Sequence, residues 1–197
     1  MRQANRLRLF GAPVSEAPTD WPGTNWDALP IYEKAVQWAA FFADREKVRE
    51  TGTNRGYWVV KFLAFVGLGP GYSWCAAFVS DLLFLAGWST FKSAAVLGWR
   101  DWSNRLGRVR VKPSRGMLAY WVKGSGPTQK RHIEIVIATA GEACPTSIHS
   151  SGKVPVNYVH TIGGNTGSGI EGSQEDGDGV YRRLRRVGDF TGFIQWW

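Results

Sequence analysis

An α+β domain, with helices first and an antiparallel sheet after them, is the fold class this sequence predicts. Three observations predict it. From about residue 30 to residue 106 apolar residues recur at helical spacing. Beyond Pro113 they gather in short runs bounded by Gly, Ser and Pro, as strands do. Neither half contains an internal repeat or a low-complexity segment. At 197 residues, with 44% apolar and 20% charged, the chain reads as one globular domain with a core that needs no staples.

The elements follow in order. Residues 1–28, with Gly11, Pro13, Pro18, Pro22 and Gly23 and little periodicity, read as an irregular arm ahead of a domain over 29–197. Pro30 opens a helix carrying Ile31, Ala35, Trp38, Ala39 and Phe42 on one face; it runs to about residue 50, and 51–56 break it. A second helix over 57–66 buries Trp58, Val59, Phe62, Leu63 and Val66, and the Gly- and Pro-rich stretch 67–71 closes it. Ser73 is the expected N-cap of a third helix, nearly all apolar from Ala76 to Ala86 and stopped by Gly87. A fourth helix covers 91–106. Strands are expected over 117–122, 133–138, 156–162, 179–184 and 192–196. The loop 163–179, rich in Gly, small polar residues and acids, is placed to border a site.

The chemistry centres on Cys75. In the first turn of the third helix its thiol faces the positive end of the helix dipole and free backbone N–H groups, which favour the nucleophilic thiolate. The bland reading is a small buried hydrophobe. His132 stands at the mouth of the strongest strand, and Asn165 follows Gly163-Gly164, whose backbone would turn tightly and aim the amide. Taken singly, a lone His is more often a satisfied residue and a lone Asn a turn former. Nucleophile, imidazole and amide in that order are the apparatus for activating a thiol: the ring takes the proton and the amide fixes its orientation.

Composition limits the partners. A net charge of +8 with 11 Trp suits a polyanion that also offers sugar or base faces, so bacterial cell wall and nucleic acid both qualify. Most of the Trp are nevertheless expected in the core. Two cysteines, Cys75 and Cys144, allow one disulfide and make no disulfide framework. The N-terminus is basic but has no long apolar core and no small-residue cleavage site, so a Sec signal peptide is not expected. The protein is then made in the cytoplasm and meets its substrate after lysis, injection or non-classical secretion. No segment approaches the roughly 18 uninterrupted apolar residues of a membrane span.

Trp74-Cys75-Ala76-Ala77-Phe78-Val79, followed by an apolar helix ending Ala86-Gly87, resembles the cysteine motif of the CHAP family, the cysteine- and histidine-dependent amidohydrolases and peptidases. Asn54-Arg55-Gly56 and Gly69-Pro70-Gly71 resemble the lead-in to that motif, His132 with its strand the histidine motif, and Gly163-Gly164-Asn165 the segment supplying the third polar residue. The likeness spans about residues 31–197. It implies a papain-like fold and a peptidoglycan hydrolase, either a phage lysin or a secreted antibacterial effector, the latter with an inhibitory protein as a further partner. It implies no metal or organic cofactor. Catalytic residues would be Cys75, His132 and Asn165, with the Cys75 N–H and the Tyr72 hydroxyl holding the oxyanion; Trp74 and Trp121 are the substrate-binding candidates.

Two departures stand out. The family usually carries a small residue where this chain has Glu134, and Arg115-Gly116 replaces its common Gly-Asp pair. Two residues from His132 and on the same strand face, Glu134 either competes with Asn165 for the ring or binds a cationic part of the substrate. Two other readings compete. One is a zinc amidase using ligands from His132, His149, His160 and Cys144. The other is a basic module that binds glycan or nucleic acid without cutting, for which the run Arg182-Arg183-Leu184-Arg185-Arg186 speaks, although on a strand such a run more often makes a solvated edge.

Overall fold

The computed structural model describes residues 25–145, 147–167 and 177–197. Most of the expected arm and the middle of the 163–179 loop lie outside the described residues. The architecture is α+β. Helices α1 (Ile31–Ala40), α2 (Tyr57–Phe65), α3 (Cys75–Leu85) and α4 (Val96–Arg105) precede or flank a sheet of β1 (Val109–Arg110), β2 (Leu118–Lys123), β3 (Lys130–Ala138), β4 (Tyr158–Thr166), β5 (Gly179–Arg186) and β6 (Gly192–Ile194). Every neighbouring pair is antiparallel, in the order β1-β6-β2-β3-β4-β5.

Helix α3 is the pivot. Apolar except for Ser80 and Asp81, it is buried along almost its whole length, those two included. Phe78, Val79, Leu82 and Leu83 are fully buried, each contributing about 1.5–3 kcal/mol of apolar transfer. It packs on β3 and β4 and against α1 and α2. Gly164 permits that approach, because a Cβ there would stand 2.5 Å from the Trp74 ring and 2.8 Å from Phe78. Ile133, Ile135 and Ile137 alternate into the same core. Of the ten Trp among the described residues eight are buried, seven of them in the main core and Trp121 at a cleft.

Several boundaries differ from expectation. The first helix ends in a π turn over Phe41–Arg45 instead of near residue 50. The chain leaves it to join the edge of the sheet, where Val180 N–H donates to Val48 O and Arg49 bridges Gly179. The fourth helix starts at Val96, because the Ser80 hydroxyl of α3 accepts from Ser93 N–H and the Ser93 hydroxyl accepts from Ala95 N–H, holding 91–95 in a turn. Ser73 does not cap α3. Trp74 holds the cap position, and no side chain caps the helix. Trp26, assigned to the irregular arm, is buried in a single 3-10 turn.

Candidate active site

Cys75 is the first residue of α3, 5% exposed, and it reaches the wall of a cleft of about 730 Å³. The first main-chain N–H to find an acceptor at this end is that of Phe78, which donates to Trp74 O at 2.8 Å. The N–H groups ahead of it are the ones a helix leaves unclaimed. Trp121, Asn54, Asn165, Arg131 and Asp178 also line the cleft.

His132 lies within β3, two residues from its start, and is 2% exposed. Its ring stands beside the Cys75 thiol, close enough for the two to share polar and charge interactions. On its other side Nε2 stands 3.0 Å from Glu134 Oε1, a charge contact lying off the axis of the ring N–H. With Nε2 turned to the carboxylate, Nδ1 is the nitrogen left for sulfur. Trp121, paired with His132 across β2 and β3, lays its ring 5.8 Å from the imidazole. Burial pulls the His132 pKa down, but the Cys75 and Glu134 side chains beside the ring, through close polar contact and negative charge, outweigh it and raise it to about 9.

Glu134 is fully buried and held on both oxygens. The Thr161 hydroxyl donates to Oε2 at 2.5 Å, and Arg185 Nη2 donates to Oε1 at 2.8 Å. Burial would raise this carboxyl's pKa. The Arg185 charge and the contact with His132 reverse that and hold it well below the usual carboxylate range. Gly163 makes room for the pair: a Cβ there would meet Glu134 Cγ at 2.8 Å and His132 Nε2 at 3.1 Å.

The structure therefore brings Cys75, His132 and Glu134 together, and the side chain against the ring is that of Glu134. Asn165 sits half-buried on the cleft wall at a bulge near the end of β4, with φ +54°. The two glycines before it lie in the strand, where they admit close neighbours and make no turn. Tyr72 is 58% exposed and off the cleft wall. Trp74 is fully buried, its Nε1 donating to Glu50 Oε1 at 2.7 Å, so it offers no face to a substrate. Trp121 does border the cleft.

The arginine run is only in part a solvated edge, since Arg186 is exposed while Arg183 and Arg185 turn inward. Arg183 is fully buried and donates to Gly167 O, Arg185 holds Glu134, and Arg182 pairs with Asp44 at 2.6 Å. Arg185 and Thr161 escaped the sequence reading; the usable signal was alternation, which puts residues 183 and 185 on one strand face. The cysteines are both free. His160 is buried and kept neutral, its pKa lowered to about 4 by burial and then by Arg182. His149 bonds Ser151 at 2.8 Å. Among the described residues no three His, Cys, Asp or Glu side chains are placed to hold a metal ion, so the ligand set of the zinc reading does not assemble.

Comparison of the chain with protein-family models, with curated proteins and with solved structures gives no match in any of the three.

Proposed function

We propose that this protein is a cysteine amidohydrolase that cuts an amide bond of peptidoglycan, in the wall peptide or at the sugar–peptide junction, from a papain-like arrangement of its helices and sheet. The observation that carries the reading is the contact of the Cys75 thiol, at a helix N-terminus on a cleft wall, with a buried imidazole backed by a buried carboxylate. The wall as substrate is supported by the likeness of the cysteine motif. Side chains of both signs along the cleft, Glu50 and Asp178 with Lys130 and Arg131, suit a peptide bearing carboxylates and an amine. A phage lysin and a secreted effector restrained by an inhibitory partner both fit.

The reaction is acyl transfer. His132 holds the proton of the Cys75 thiol, and the thiolate attacks the carbonyl carbon. Negative charge on the carbonyl oxygen is met by unclaimed N–H groups at the start of α3. Collapse breaks the C–N bond as His132 passes its proton to the leaving amine. Acylation removes the thiolate that had supported the imidazolium, which favours that transfer. Water then adds to the thioester carbonyl with His132 as base, and the acid leaves as Cys75 regains its proton.

Purified sacculi treated with the wild type should release fragments whose mass and new terminus identify the bond. C75A should release none while keeping its circular dichroism spectrum, and a chelator should not inhibit the wild type. Full release by folded C75A ends the thiol mechanism.

A further inference from the structure

His132 and Arg185 claim the same oxygen. Nε2 of the ring is 3.0 Å from Oε1 of Glu134, and Nη2 of Arg185 is 2.8 Å from that same atom, while Oε2 is taken by Thr161. A carboxylate facing the imidazolium alone, inside the protein, would hold its proton very firmly. Shared with a guanidinium, it holds less firmly. Resting on the reading of Cys75 and His132 as the reacting pair, we propose that Arg185 is a positioning residue acting through Glu134, which weakens the carboxylate's grip on the imidazolium so that the ring can both give up and take back a proton.

The surroundings leave few other groups for that role. Cys75 faces His132 from α3 and Glu134 from its own strand, while β2 and β4 contribute the uncharged Trp121, Gly163 and Thr161. From β5, Arg183 also acts on Glu134 through space, but its Nη1 donates to Gly167 O. Lys130, Arg131, Glu50 and Asp178 line the open cleft, where water screens them. A cation on one side of a buried carboxylate and an imidazolium on the other must compete, so their effects on the ring have opposite signs: Glu134 raises its proton affinity and Arg185 lowers it.

That opposition separates the proposal from a simple bracing role. If Arg185 only held Glu134 in place, losing it would mimic losing Glu134. The measurement is the titration of the His132 ring by NMR of protein labelled with ¹³C-histidine, its signal being the one missing from H132Q. Wild type should titrate near 9. E134Q should move the midpoint down, and R185Q should move it up by about 1 pH unit or more, the scale of a charge within about 4–6 Å. R185K, which keeps the charge but loses the planar fork, should lie between R185Q and wild type. In the E134Q background, adding R185Q should change nothing further. A midpoint in R185Q that falls or stays put overturns the proposal; should R185Q not fold, an R185K midpoint at or below that of wild type does the same. A wild-type ring already neutral at pH 7.5 would instead sink the Cys75–His132 pair itself, and this inference with it.

Discussion

Replacing His132 by Gln should change how stability depends on pH. The folded protein holds the imidazole proton to about pH 9, whereas the unfolded chain releases it near 6.5. A proton bound more tightly in the native state adds stability that is complete below about pH 6.5 and lost as the pH rises through about 9. At about 1.4 kcal/mol per pH unit, the loss amounts to about 3 kcal/mol. H132Q lacks that contribution at every pH, whatever fixed cost its buried amide adds. To keep the Cys75 thiol, which shares the ring's proton, out of the difference, both proteins carry C75A. Urea unfolding from pH 6 to 10 should then show C75A losing more stability than C75A/H132Q, by at most about 3 kcal/mol, with groups common to both, such as Tyr120, cancelling. A constant gap between the two curves across that range would refute the buried imidazolium and the charge pairing that sustains it.

Two adjacent glycines should separate the fold from the chemistry. In G164A the new methyl is driven against the fully buried Trp74 and Phe78, and overpacking of this kind costs about 1–3 kcal/mol, read as a lowered urea midpoint. In G163A the methyl intrudes between Glu134 and His132 instead, so Cys75 reactivity toward iodoacetamide should fall even where the fold survives. Equal loss of stability with unchanged thiol reactivity in G163A would argue against a working His132–Glu134 contact.

The elements that position the nucleophile were legible from local pattern. An apolar run between Gly71 and Gly87 makes a buried helix wherever it packs, and a run such as Ile133–Ile137 makes a central strand. What escaped was decided by contacts distant in sequence. Arg185 lies 51 residues from Glu134, and an arginine-rich edge strand looks the same on paper whether its guanidiniums face water or a buried carboxylate. Gly163-Gly164 signals either a turn or a close approach, and only the neighbouring Trp74, Phe78 and Glu134 select the second. Trp74 adjoins the nucleophile in sequence, yet its ring is packed in the core and its N–H is spent on Glu50. The first helix stops early because Val48 and Arg49 are needed at the edge of β5, a demand that helical periodicity cannot express.

The most direct test of the account is the rate at which each cysteine is alkylated near neutral pH, followed by peptide mass spectrometry. Cys75 and Cys144 are both free and equally buried by exposed area, but burial raises the Cys144 pKa, whereas Cys75 has His132 to take its proton. The account predicts that iodoacetamide modifies Cys75 at least tenfold faster than Cys144, and that H132Q removes most of the difference. Labelling of Cys75 no faster than Cys144, or unaffected by loss of the imidazole, would contradict a thiol activated for catalysis.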